Sequence, residues 1–150
     1  MGVLGQRVSR NQRRKRDISQ EIRSGQEVVA LGYPLGDVLG DELKVTTGII
    51  ASMSGLKGDP NRLHFTAPIQ PGSSGGPLMN RKNELVGVNT AGLIGEKLQN
   101  INFAVKGTVL QRFLAKNGVE FSYAVQNTQM SVPDIIDSAK RHVLQVYCSK

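Results

Sequence analysis

This sequence has few of the residues that cross-link a chain, anchor it in a membrane or direct its export. It has one cysteine, Cys148, so no disulfide can form within the chain, and we expect a small packed hydrophobe there rather than a reactive thiol. No run of about 18 apolar residues occurs, which excludes a membrane-spanning helix. Residues 1–10 are basic but lack the apolar core of a signal peptide, so the sequence as given predicts no export signal.

Other absences narrow the function. The sequence has no metal-ligand spacing and no phosphate-binding glycine loop, so neither a metal nor another cofactor is predicted. Hydrophobic residues make up 39% of the 150 residues and charged residues 21%, which is ordinary for a globular protein and excludes a disordered chain or a coiled coil. The length fits one domain, or one and a half.

The positive charge is unevenly distributed. The formal net charge is +7. Residues 1–24 hold seven basic and two acidic residues, a local charge of +5, whereas the remaining residues hold twelve basic and ten acidic residues, a charge of only +2. The stretch from Arg7 to Arg16 lacks aromatic or hydrophobic interleaving. We predict a solvated, disordered tail, with nonspecific binding to phosphates or acidic lipids as the alternative and no specific nucleic-acid partner.

From residue 25 onward, short β-branched runs alternate with Gly, Pro and Asn, a pattern typical of an all-β barrel. The runs are Glu27–Leu31, Lys44–Ser52, Arg62–Ala67, Leu85–Thr90 and Ile101–Val105. Apolar residues then recur at helical spacing up to Asn117, and Gly118 is a suitable stop. We predict a six-stranded antiparallel barrel over residues 26–106, followed by a helix at about 107–117.

A C-terminal extension follows. Ser131-Val132-Pro133-Asp134 predicts a helix start, with a serine N-cap and an early proline. The apolar positions expected to face inward from this helix are Ile135, Ile136 and Ala139. Val143 to Cys148 alternates like a strand. The predicted division is a basic tail at 1–24, a barrel plus helix at 25–118 and an extension of helix and short strand at 119–150.

The chemistry lies in the octet Pro71-Gly72-Ser73-Ser74-Gly75-Gly76-Pro77-Leu78. A hydroxyl between glycines suits acyl transfer, because glycines allow tight turns that direct neighbouring N–H groups into one concavity. Such groups stabilise the oxyanion that forms during acyl transfer. A glycine-rich turn with solvent-exposed serines is the alternative interpretation.

With this octet and four further landmarks in order, the sequence resembles the trypsin-like serine proteases. The resemblance is strongest to the HtrA/Deg branch, whose nucleophile loop reads Gly-Asn-Ser-Gly-Gly-Pro-Leu. The other matching stretches are Val28–Gly36, Val45–Ser52, Leu85–Ala91 and Asn102–Val105. The resemblance covers about residues 25–117 and implies the second barrel of that fold.

The resemblance also implies roles for individual residues. Ser74 is the expected nucleophile, and the backbone N–H groups of Gly72 and Ser74 are expected to form the oxyanion hole. The residues expected to bind substrate are Ile69, Val88, Asn89, Thr90 and Ala91. Val88 to Thr90 would offer an open strand edge to an extended peptide. Ile69 and the turn at Ala91 would line a pocket for a small aliphatic side chain, with core packing as the alternative for Ile69 and Val88.

The sequence also departs from the family pattern. Ser73 stands where the family has Asn or Asp, Gln70 replaces an Asn, and Thr66 stands where this branch usually has Asp. The family draws its catalytic histidine and aspartate from a first barrel, yet only 26 residues precede the second barrel here. Of the two histidines, His64 is expected to be a half-exposed strand residue, and His142 lies far downstream. No lysine lies within seven residues of Ser74 to replace them.

These observations predict a serine-type endopeptidase domain that is truncated, lacks the histidine and aspartate of the triad and is inactive alone. The alternative is a non-catalytic pseudoprotease that acts as a peptide-binding module. The expected partners are a polypeptide substrate or peptide ligand, and either a first barrel from elsewhere or a second copy of the chain. Relatives in this branch commonly work outside the cytoplasm, but the sequence itself predicts no location.

Overall fold

A computed structural model describes residues 17–34, 42–90, 101–123 and 127–146 of the chain. The strands are β1 (Asp17–Ile18), β2 (Glu27–Gly32), β3 (Lys44–Ser52), β4 (Arg62–Phe65), β5 (Pro77–Asn80), β6 (Leu85–Asn89), β7 (Asn102–Lys106) and β8 (Ser122–Tyr123). The helices are α1 (Gly107–Lys116) and α2 (Val132–Lys140), with a short 3₁₀ turn at Leu56–Gly58. None of the helices described is long and apolar enough to cross a membrane.

Six antiparallel strands close into a barrel. Their order is β5-β2-β3-β4-β7-β6, and β5 also pairs with β6, which completes the ring. Val29 of β2, for example, lies opposite Thr47 on one side and Met79 on the other. Closure gives each of these strands two neighbours, which removes the exposed sheet edges that an open sheet would carry. The predicted six-stranded antiparallel barrel is confirmed.

The barrel wall separates two apolar clusters. Successive side chains of a strand point to opposite faces, so β2 directs Val28 and Ala30 inward and Val29 and Leu31 outward. The inner cluster comprises Val28, Ala30, Ile50, Leu63, Phe65, Ala67, Leu78, Val86 and Ala104. The outer cluster comprises Ile18, Val29, Leu31, Met79, Leu85, Ile135, Ala139 and Val143. The outer cluster is where the helices and the C-terminal segment attach to the barrel.

Both predicted helices are present. Helix α1 directly follows β7, and a Cβ at its first residue, Gly107, would lie 2.9 Å from Cγ2 of Ile18 and 3.1 Å from the Val86 carbonyl oxygen. A glycine therefore lets the helix start close to the barrel. Helix α2 begins as predicted, because Ser131 Oγ accepts a hydrogen bond from the Asp134 N–H at 3.2 Å.

The predicted inward face of α2 is also found. Ile135 and Ala139 are buried in the outer cluster, and Ile136 packs against it while half-buried. Burial of this face explains why a helix of nine residues, too short to be stable alone in water, forms here.

Part of the segment predicted to be a tail packs on the barrel. Ile18 is fully buried, and its strand β1 pairs in parallel with β6 and β8. A single isoleucine in a charged stretch has no periodicity, so sequence patterning could not identify it. Residues 1–16, which hold the Arg7–Arg16 stretch, lie outside the described residues, and the division of the chain into tail, barrel and extension stays a prediction.

The strand predicted for residues 143–148 does not form over its described part. Residues 143–146 belong to no strand, although Val143 is buried and Leu144 and Val146 are exposed. Alternation makes a strand only where a partner edge is paired with it, and residues 143–146 pair with none of the strands described. The remaining residues of that stretch, with Cys148, lie outside the described residues.

Candidate active site

The glycine-rich loop before β5 begins with a tight turn. The Ser73 N–H donates to the Gln70 carbonyl oxygen at 3.0 Å, Pro71 occupies the second position and Gly72 the third, with φ +96°. Proline at the second position and a positive φ at the third define a type II turn, which needs glycine at that third position. The sequence Gln-Pro-Gly-Ser thus fixes the chain direction just before Ser74.

A second turn follows at once. The Gly76 N–H donates to the Ser73 carbonyl oxygen at 3.1 Å, Ser74 holds the second position and Gly75 the third, with φ +85°. Ser74 is therefore at the corner of the turn and is exposed, whereas Ser73 is buried. A Cβ at Gly76 would lie only 2.0 Å from the Leu31 carbonyl oxygen, so no side chain fits where the loop passes β2.

The loop leaves two backbone N–H groups available. Between Gly72 and Gly76, the N–H groups of Ser73, Gly75 and Gly76 donate to carbonyl oxygens at 2.8 to 3.1 Å. Those of Gly72 and Ser74 have no hydrogen-bond partner among the residues described. These are the two N–H groups that the family resemblance assigns to the oxyanion hole: one belongs to Ser74 itself and the other lies two residues before it.

Asn89 fixes the loop from below. Its Nδ2 donates to the carbonyl oxygens of Leu31 at 3.2 Å and Pro77 at 3.5 Å. Its backbone N–H donates to the Gly76 carbonyl oxygen, and its own carbonyl oxygen accepts from the Gly75 N–H, both at 2.8 Å. Asn89 is 1% exposed and lies beneath the loop, where it supports the backbone around Ser74.

The open strand edge expected for substrate pairing is absent at Val88 and Asn89. Val88 lies opposite Pro77 of β5 on one side and Val105 of β7 on the other. Beyond the strand, the Thr90 N–H and Oγ1 both donate to the Phe103 carbonyl oxygen, at 2.8 and 2.9 Å. That expectation was wrong, because barrel closure occupies both sides of β6. Substrate binding by these residues stays a prediction, and Ala91 lies outside the described residues.

The other predicted residues have mixed surroundings. Ile69 is half-buried, packs against the inner cluster and lines a small cavity of about 190 Å³ with Gln70 and Ser73. Both of its proposed roles, pocket wall and core packing, therefore have a physical basis. The small side chain of Ser73 lies tightly against Gly32, at which a Cβ would come within 2.9 Å of the Ser73 Cα. Thr66 is structural: its Oγ1 accepts the Ile49 N–H at 3.0 Å.

Ser74 opens into a cavity of about 660 Å³ with walls from distant parts of the chain. One wall comes from the end of β2, at Tyr33, and another from the C-terminal segment 142–146. The Tyr33 hydroxyl donates to the Val143 carbonyl oxygen at 3.5 Å, a long and weak hydrogen bond between the two walls. His142 is part of this wall, and its ring nitrogen Nδ1 lies 3.0 Å from the Ser138 carbonyl oxygen.

Sequence reasoning gave His142 no role. The only signal in the sequence was the rarity of histidine, with two in the chain. The other, His64, is a half-buried residue of β4 that packs beside Phe103, with ring centroids 5.8 Å apart, and it does not line the Ser74 cavity. Among the described residues, no group of histidine, cysteine and carboxylate side chains is arranged to hold a metal ion.

A closed antiparallel barrel that presents an exposed serine in a glycine-rich loop, beside two N–H groups without a partner among the described residues, is typical of the serine-peptidase class. The sequence profile of the trypsin-like peptidase domain matches residues 13–88, just over half of the chain. This chain belongs to the trypsin-like peptidase family, and its relatives place it in the HtrA/Deg branch.

Individual relatives agree with this assignment. The chain is 35% identical over 137 residues to the uncharacterized protein y4bJ of Sinorhizobium fredii, covering 85% of this chain and 22% of that protein. It is 34% identical over 137 residues to a probable periplasmic serine endoprotease, DegP-like, of Buchnera aphidicola, covering 88% and 28%. The crystal structure of the serine endoprotease from Yersinia pestis matches with TM-score 0.56 and 32% identity, over 67% of this chain and 34% of that one. The chain thus spans between 22% and 34% of the length of each of these three proteins.

Proposed function

We propose that this chain supplies the nucleophile and the oxyanion hole of a serine-type endopeptidase. Ser74 Oγ attacks the carbonyl carbon of a peptide bond, and the N–H groups of Gly72 and Ser74 stabilise the oxyanion. The observation that carries the proposal is the hydrogen bonding of the loop: the N–H groups of Ser73, Gly75 and Gly76 donate to carbonyl oxygens, whereas those of Gly72 and Ser74 have no partner among the residues described.

Ser74 needs a base, because a serine hydroxyl is a weak nucleophile at neutral pH. Residues 68–78 contain no histidine, lysine or carboxylate, so the base comes from another segment. In the trypsin-like fold, a first barrel supplies the histidine and the aspartate that orients it. We propose that full triad activity requires such a barrel outside this sequence.

We propose a polypeptide as the substrate. The cavity beside Ser74 is lined by apolar side chains that include Val88, Leu144 and Val146, with no acidic side chain among its described lining residues. Such a lining has no carboxylate to attract a lysine or arginine side chain. We therefore expect apolar residues to be preferred over lysine and arginine next to the cleaved bond.

A fluorophosphonate probe tests the assignment, since it modifies a serine that is both activated and accessible. The chain alone and the full-length protein are labelled, and the modified residue is mapped by mass spectrometry. We expect the label on Ser74 and its loss in Ser74→Ala. Ser24→Ala, which removes another exposed serine, is the matched control and should label normally.

Two results would contradict the proposal. Label on a serine other than Ser74 would show that the glycine-rich loop is not the reactive site. Absence of label in both the chain and the full-length protein, with peptide binding retained, would instead favour a non-catalytic peptide-binding module.

A further inference from the structure

A group of basic side chains lies where three segments of the chain meet at Asn61. The Arg112 guanidinium of α1 donates from Nη2 to Asn61 Oδ1 at 3.3 Å. The backbone N–H of Lys106, the last residue of β7, donates to the Asn61 carbonyl oxygen at 3.0 Å. Arg62, the first residue of β4, follows Asn61 directly. The start of β4, the end of β7 and helix α1 therefore bring three cations to one place.

The loop between β3 and β4 adds a fourth cation, Lys57. This loop folds back on itself, because the Gly55 N–H donates to the Asp59 carbonyl oxygen at 2.8 Å. A Cβ at Gly55 would lie 2.7 Å from the Arg62 Cβ, so the turn that carries Lys57 packs closely beside the start of β4. Lys57 is exposed, and the Arg62 side chain is 48% exposed.

Helix α1 adds the fifth cation. Lys116 lies four residues after Arg112, a spacing that places both side chains on the same face of a helix. Both residues are exposed. We call the five residues the basic face: Lys57, Arg62, Lys106, Arg112 and Lys116.

Little negative charge opposes the basic face. The segments that form it, 53–65 and 101–119, contain five basic residues and one acidic residue, Asp59, a local charge of +4. The Asp59 carboxylate pairs with Arg62, with Oδ2 3.5 Å from Nε. Glu120, the next carboxylate along the chain, lies beyond the end of α1. The cations of this face thus outnumber the carboxylates of their own segments by four.

Exposed apolar side chains accompany these cations. Leu56, directly before Lys57, is 50% exposed, and Phe113, directly after Arg112, is 63% exposed. Cations combined with exposed Leu and Phe favour the interface of an anionic bilayer, where affinity grows with both charge and inserted apolar area. The basic face is built on a turn and a helix and lines neither of the two cavities described above. Its form therefore suits an extended surface better than a peptide held in a groove.

We propose that the basic face docks on the surface of an anionic lipid bilayer. Its cations pair with headgroup phosphates, while Leu56 and Phe113 enter the interface. Strands β5, β6, β7 and β4 are neighbours in that order and alternate in direction, so β4 and β5 begin at opposite ends of the barrel. The loop that carries Ser74 precedes β5, and docking at the start of β4 leaves that loop accessible.

Co-sedimentation with vesicles tests the charge requirement. The full chain is mixed with vesicles of phosphatidylglycerol and phosphatidylcholine in equal parts, or of phosphatidylcholine alone. We expect binding to the anionic vesicles only. Each Lys or Arg near such a surface contributes about fivefold in affinity, so Arg112→Gln/Lys116→Gln should weaken binding about 25-fold.

The matched control is Lys140→Gln/Arg141→Gln, which removes the same charge from exposed residues at the end of the other helix, α2. It should change vesicle binding by less than about twofold, because these residues lie outside the basic face. Both variants keep the basic residues 1–16, and circular dichroism checks that both are folded. Equal losses in the two variants, no loss in Arg112→Gln/Lys116→Gln, or equal binding to neutral vesicles would overturn the inference.

A nucleic acid is the competing polyanion, and two apolar substitutions distinguish it from a bilayer. Leu56→Ser/Phe113→Ser removes the side chains expected to insert but no charge. It should weaken vesicle binding at least about tenfold and leave binding to a short DNA duplex unchanged. Unchanged vesicle binding in this variant, or tighter binding of the duplex than of the vesicles, would overturn the inference. All these variants keep the loop around Ser74, so labelling of Ser74 tests the proposed function separately.

Discussion

Replacing Asn89 with alanine should loosen the nucleophile loop more than any other single polar substitution beneath it. The change removes the hydrogen bonds from Nδ2 to the carbonyl oxygens of Leu31 and Pro77. Each lost bond costs about 1 kcal/mol, and a buried oxygen left unpaired adds about 1–3 kcal/mol. Because the 3.5 Å contact to Pro77 is long and weak, we expect roughly 2–4 kcal/mol in total.

Urea denaturation measures this loss as a lower midpoint with an unchanged slope. Asn117→Ala is the matched control: its Nδ2 also donates to one carbonyl oxygen, that of Phe113, but at an exposed site, and it should cost below about 1 kcal/mol. Asn89→Asp keeps the shape but cannot donate, so it should be at least as damaging as alanine. A loss below about 0.5 kcal/mol in Asn89→Ala would refute the reasoning, since it would mean that the loop does not depend on these bonds.

Two further predictions concern the loop and the cavity rim. Gly76→Ala places a Cβ against the Leu31 carbonyl oxygen and should destabilise the fold more than Gly75→Ala. The control Gly75→Ala has space for its Cβ, but its positive φ costs about 1–2 kcal/mol. Equal melting temperatures of the two variants would contradict this prediction. The double variant Leu144→Ser/Val146→Ser removes two exposed apolar side chains at the cavity and should reduce self-association, measured by light scattering. The control Leu56→Ser removes an exposed apolar side chain away from the cavity and should leave self-association unchanged. A monodisperse unmodified chain at high concentration would refute the second expectation.

The sequence predicted the barrel well because its strands have local signals: β-branched runs, turn residues between them and a helix at a different period. It also predicted turn or loop structure for the octet around Ser74, since proline and glycine favour turns, but not that the octet contains two consecutive turns. Asn89 was expected to bind substrate because the family resemblance places it on the strand beside the site. The direction of its side chain is decided by barrel closure, which a linear pattern does not contain.

His142 and Ile18 were missed for a related reason. Each reaches its place by tertiary packing of a segment outside the barrel strands, His142 through α2 and Ile18 through β1. A single residue in a charged or irregular stretch has no period that would reveal its neighbours. Contacts between segments that are distant along the chain cannot be predicted from the local patterns of a single sequence.

Strand β2 belongs to both apolar clusters and also contacts the nucleophile loop. Its outward residues Val29 and Leu31 pack in the cluster that α2 covers, while the Leu31 carbonyl oxygen accepts from Asn89 and limits the space at Gly76. Cleavage of the chain before α2 would uncover the outer side of this strand. The loop geometry around Ser74 would then depend on a strand supported on one side only, so we expect proteolysis before α2 to weaken the nucleophile loop without cutting the loop itself.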